Sequence, residues 1–133
     1  MYKRVLVSII FFVSMPSIAV DEIKCNSGGN QLEMNVCAGD DFKKSDKELN
    51  KTYQSVIEKE VDNTLFISKL RRAQKAWIAF RDAELEAEFA CAEADVRLCW
   101  GSMYPMSYSY RKAELTRERN KHLQKILKYG HGE

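Results

Sequence analysis

The chain has 133 residues, with 21 Lys and Arg against 19 Asp and Glu, a formal charge of +2. That near-balance excludes a general nucleic-acid binder, which carries a marked basic excess on one face. The length suits one domain with a core of its own.

The first nineteen residues read as a cleavable secretory signal. Lys3 and Arg4 open it, Val5 to Val13 is apolar apart from Ser8, and Ser17-Ile18-Ala19 offers small residues where signal peptidase cuts. The apolar run is well short of the roughly 20 residues that span a bilayer. A lipid anchor is not expected either, because Glu22-Ile23-Lys24 before Cys25 is too polar for a lipoprotein box. Residues 20–133 then form a single domain, periplasmic or secreted, with no stable membrane anchor. Lys3 and Arg4 leave with the signal, so 19 basic residues face 19 acidic ones.

All four cysteines, Cys25, Cys37, Cys91 and Cys99, follow the cut. An even count in an exported chain reads as two disulfides, for which three pairings exist. Cys25–Cys37 and Cys91–Cys99 are favoured because each closes a short, turn-rich stretch. By loop entropy they are worth roughly 3 and 2.5 kcal/mol. There is no Cys-x-x-Cys, and His122 and His131 are distant from every cysteine in sequence, so neither a metal nor another cofactor is expected.

In chain order, Asn26 to Asn30 is a loop. Asn30 followed by Glu33 is a capping box that opens a helix. Gly39-Asp40-Asp41 is a place where that helix would break or kink. Beyond it, Phe42, Leu49, Tyr53 and Ile57 keep one helical face to about Val61. Asp62-Asn63-Thr64 supplies the next N-cap. Phe66, Leu70, Ala73, Trp77 and Phe80 then form a heptad-like apolar stripe, and the absence of Gly and Pro from Leu65 to Trp100 predicts a helix to about Ala90. Trp100 to Tyr110, with Gly101, Pro105 and several rings, reads as an ordered aromatic loop. A last helix runs from about Tyr108 to Lys128 on Leu115, Leu123 and Ile126. No alternating strand pattern occurs. The expected fold is all-α, an antiparallel bundle of about three main helices with disulfide-closed loops.

Three features are candidates for function. The stretch from Asp82 to Asp95 holds six acids (Asp82, Glu84, Glu86, Glu88, Glu93 and Asp95) with no basic residue among them, whereas the last helix is basic. The simpler reading is a solvated face partly neutralised by that helix; the other is a steering surface for a basic partner, with Glu88 and Glu93 foremost. Asp46, Gln74, Arg81, Asp82 and Arg119 lie on or beside apolar stripes and read as an interhelical polar network, since a buried charge is tolerated only when paired. A catalytic role would need a nucleophile–histidine pair or a ligand cluster; neither is evident, and no catalytic residue is assigned. Finally, Gly101 to Met106 exposes Met103, Tyr104 and Met106 in a loop, which either cap the bundle end or contact a protein partner.

The motifs Gln31-Leu32-Glu33-Met34-Asn35-Val36-Cys37-Ala38, Ala73-Gln74-Lys75-Ala76-Trp77-Ile78-Ala79-Phe80-Arg81-Asp82-Ala83 and Gly101-Ser102-Met103-Tyr104-Pro105-Met106 resemble the LprI-type lysozyme-inhibitor family. Cys25, Asp46, Leu49, Asn50, Tyr53, Leu115, Thr116 and Arg119 add to the resemblance, which runs from Cys25 to about Leu123. It implies a small exported helical domain that binds and inhibits a lysozyme, and no enzyme activity of its own. The alternative is an envelope interaction or immunity protein that neutralises another cell-wall-attacking toxin. One departure stands out. The family pattern places a cysteine pair where this chain has Leu85 and Tyr110, whereas Cys91 and Cys99 have no counterpart in it.

Overall fold

The computed structural model describes residues 22–132. The signal segment therefore lies outside the described residues. Three long helices carry the fold: α1 (Gln31–Lys59), α2 (Thr64–Glu88) and, after a one-turn α3 (Arg97–Trp100) and a 3-10 turn (Gly101–Met103), α4 (Tyr104–Tyr129). There is no strand among the described residues, and none of their helices is long and apolar enough to cross a membrane.

Local chemistry explains where the helices begin. The Asn30 side chain accepts hydrogen bonds from the backbone N–H groups of Leu32 and Glu33, and the Glu33 carboxylate accepts from the Asn30 N–H at 3.0 Å, so the capping box is complete. The Asn63 side chain caps α2 by accepting from the Phe66 N–H. Two expectations are corrected. First, α1 runs unbroken through Gly39-Asp40-Asp41. Gly39 costs about 1 kcal/mol relative to Ala, but its neighbours are held from outside. Ala38 is fully buried, Cys37 is bonded to Cys25, and Asp41 receives Arg117 of α4 at 2.8 Å. Second, α4 starts at Tyr104, not near Tyr108. Pro105 falls in its first turn, where the missing N–H would have no helical partner anyway. Tyr104 and Met106 are therefore helical residues, and the expected aromatic loop is reduced to a 3-10 turn.

Consecutive long helices run antiparallel. Glu88 meets Arg111, Gln74 meets Arg119 and Phe66 stacks on His131, so α2 descends against an ascending α4. α1 and α4, by contrast, are parallel: Gln31 lies by Met106, Ser45 by Arg117, and Lys59 donates to the Leu127 carbonyl. This non-consecutive pair packs most closely, and α2 leans on it more loosely. Ala38 on α1 and Ala113 and Thr116 on α4 are fully buried, the small residues that close axes require.

The core has two parts. Leu49, Val56, Leu70 and Leu123 fill the lower half, with Tyr53, Ile57, Phe66, Trp77, Ile126 and Leu127 around them. Leu85, Phe89 and Leu115 fill the upper half under Tyr104 and Tyr108. The buried line of α2 is Leu70, Gln74, Arg81 and Leu85. The stripe read from the sequence is thus rotated: Ala73 is exposed and Phe80 is 58% exposed. Polar partners account for the rotation. The Arg119 Nε donates to Gln74 Oε1 at 3.0 Å, and Arg81 bonds Asp82 at 2.7 Å while its guanidinium lies 5.2 Å from the Trp77 ring. With these groups satisfied, the face that carries them can be buried.

Candidate partner-binding site

The upper end of the bundle is built from the end of α2, the disulfide lobe and the first turns of α4. α2 stops at Glu88, and Phe89 continues its line into the core at 8% exposure. Cys91 is bonded to Cys99, which closes the lobe between α2 and α4, and Cys25 is bonded to Cys37 at the head of α1. Within the lobe, Asp95 accepts from the Arg97 backbone N–H and from its guanidinium at 2.9–3.0 Å. Those bonds hold the Asp95 carboxyl below its ordinary range. Gly101 takes φ +65°, a left-handed conformation that a side chain would strain, and this turns α3 toward α4.

The rings form a stack under this lobe. Phe89 is edge-on to Trp100 at 5.1 Å and to Tyr104 at 5.7 Å, and Tyr108 lies 5.6 Å away. Tyr104 is accordingly a half-buried cap on Phe89, and Met106 is half-buried near the Gln31 amide. Met103 is the member of this trio that stands out, at 53% exposure. Leu98 at 72% and Trp100 at 41% accompany it, so the lobe presents apolar side chains to solvent. Leu98 and Trp100 are not separable from core residues by sequence, because an apolar residue in a short loop carries no mark of which way it faces.

The acidic residues divide into two kinds. Glu88 is engaged by Arg111 at 2.7 Å, and Arg111 also holds Glu114 at 2.8 Å; these bonds, Glu88 first, raise the Arg111 pKa further. Asp82 is taken by Arg81 and lies 3.9 Å from the Lys112 ammonium. Like Glu84, Glu86 and Glu93 are exposed and, among the described residues, have no cation within ion-pair distance. Both line an open cleft of about 430 Å³ with Leu85, Phe89, Val96, Tyr104 and Tyr108. The Tyr108 phenol there is raised, by burial first and then by Tyr104 and the charges of Asp82 and Glu86.

The polar residues expected to form one network are found in separate groups. Gln74 and Arg119 are joined across α2 and α4; burial lowers the Arg119 pKa. Arg81 and Asp82 are joined within α2. Asp46 accepts from Asn50 one turn on in α1, and no hydrogen bond or ion pair among the described residues links it to the other four. The positions of Leu85 and Tyr110 are unlike: Leu85 is fully buried and Tyr110 is 41% exposed.

Comparison with known proteins gives a consistent picture. A family model described as "Lysozyme inhibitor LprI" matches residues 23–123. An uncharacterized protein of Rhizobium meliloti (strain 1021) is 34% identical over 117 residues, which span 80% of this chain and 80% of that protein. No solved structure matches. The family match takes in α1, α2, the disulfide lobe and most of α4, and on that extent the chain belongs to the LprI lysozyme-inhibitor family.

Proposed function

We propose that the protein is exported to the periplasm or beyond and there binds and inhibits a lysozyme. The observation that carries this reading is the family match, which spans nearly the whole helical domain rather than one motif. The physical features agree with it. Animal-type lysozymes are basic proteins that cut peptidoglycan between two carboxylates in a cleft. A firm end carrying Leu98, Trp100 and Met103 beside unpaired carboxylates suits a basic, concave target. Pre-ordering by the disulfide lowers the entropy lost on binding. The cysteine pairs and the lobe are also what an oxidising compartment allows.

The test is direct. The exported protein is titrated against lysozymes of different types, with both binding and peptidoglycan hydrolysis followed. Salt-sensitive association with a basic lysozyme, accompanied by loss of hydrolysis, is expected. Binding solely to another cell-wall-attacking toxin would move the protein to the immunity class, and turnover of peptidoglycan by the protein itself would overturn the reading.

A further inference from the structure

We infer that the cleft walled by Phe89, Val96, Tyr104 and Tyr108, with Glu86 and Glu93 exposed on its lining, receives a lysine or arginine side chain of the protein partner. This inference rests on the inhibitor reading and specifies the contact it uses. Three observations carry it. The walls are aromatic and apolar: Phe89, Tyr104 and Tyr108 pack with centroids 5.5–5.7 Å apart, a surface suited to the methylene stem and cationic head of a basic side chain. The two carboxylates of the cleft are unengaged, whereas their neighbours Glu88 and Asp95 are already held by Arg111 and Arg97. The placement of Glu86 is also not explained by the helix. Glu86 stands in the last turn of α2, where the helix dipole favours cations, and that turn holds no basic residue.

The experiment uses the exported protein in two arms. In the first, Nα-acetyl-arginine amide is titrated while the side-chain NMR signals of Phe89, Tyr104 and Tyr108 are followed, with Nα-acetyl-citrulline amide as the uncharged control. Saturable shifts with the arginine amide alone are expected, weakened at least tenfold in the Glu86→Gln/Glu93→Gln variant. In the second, a basic animal-type lysozyme is the probe; the same variant should raise Kd at least tenfold, and Glu118→Gln, on the exposed flank of α4, should leave it unchanged. Both cleft acids are exposed, so the melting temperature of the double variant should match or exceed the wild type, which separates lost binding from lost folding. Equal response to the citrulline amide, no response to the arginine amide, or unaltered lysozyme binding by the double variant would each overturn the inference. If no lysozyme binds, the first arm still decides the cleft while the inhibitor reading falls. If lysozyme binds wild type and variant alike, the cleft falls and the inhibitor reading stands.

Discussion

Trp77 lies half-buried against the lower core, with the Arg81 guanidinium 5.2 Å from its ring on one side. Full burial would set the cost of Trp77→Ala at about 3–5 kcal/mol. Because part of the indole is open, the expected loss is about 2–3 kcal/mol, read by chemical denaturation. A loss under about 1 kcal/mol would mean that Arg81, not the indole, organises this region. Gln74 poses a different problem. It is buried and gives Arg119 a neutral acceptor in a place where burial already depresses the guanidinium pKa. Gln74→Leu keeps the volume and removes the acceptor, leaving an unpaired, half-desolvated donor. The expected destabilisation is about 1–3 kcal/mol, and it should shrink in a Gln74→Leu/Arg119→Leu double variant, because no orphan charge remains. The shrinkage is the diagnostic measurement, since simple loss of packing would add.

At the scale of elements, α1 depends on its first turn. The capping box satisfies the Asn30, Leu32 and Glu33 N–H groups, so Asn30→Ala should cost about 1 kcal/mol in thermal or urea unfolding. Gly29 is bound to the same device: a Cβ there would strike the Glu33 carboxylate that completes it. The Cys91–Cys99 lobe works otherwise. It closes a loop between helices and does not clamp one helix to another, so docking of α2 on α4 rests on Leu85 and Leu115, on Glu88–Arg111 and on Gln74–Arg119. Cys91→Ser/Cys99→Ser should therefore cost up to about 2.5 kcal/mol by loop entropy. Helical circular dichroism at room temperature should remain, while hydrogen exchange in residues 90–103 accelerates. Collapse of the whole helical signal would show instead that the lobe nucleates the bundle.

For the molecule as a whole, a nearly balanced charge conceals a polar distribution. The antiparallel course of α2 sets its basic half, with Lys69, Arg71, Arg72 and Lys75, beside the basic end of α4, with Lys121, Lys125 and Lys128. The acids of residues 82–95 are left at the opposite end with the exposed lobe. A basic partner of the kind proposed would thereby be oriented before contact. The on-rate with such a partner should fall by about tenfold between low and physiological salt, while the off-rate changes little, because steering is screened over roughly 8–10 Å and packed contacts are not. Surface-plasmon kinetics across a salt series checks this; an on-rate that stays constant as salt rises would remove the steering role of the acidic end.

The sequence by itself determined whatever depends on a few neighbouring residues. The capping box at Asn30 and Glu33, the N-cap at Asn63, the all-helical class and the two short disulfide pairings were legible because each signal acts within a dozen residues. It misjudged Gly39, because a local helix breaker is overridden by burial and by an ion pair from a helix some 76 positions away. It misplaced the apolar face of α2 for the same kind of reason. Periodicity ranks Phe80 above Gln74 and Arg81, but which face is buried depends on whether the polar groups find partners on α4 and against Trp77. Of the candidate site, the acidic run was visible, yet which acids are already paired was not. Only the tertiary structure decided that Tyr104 caps Phe89 while Glu86 and Glu93 stay unengaged, because pairing is a matter of distance between elements, and linear spacing does not contain that distance.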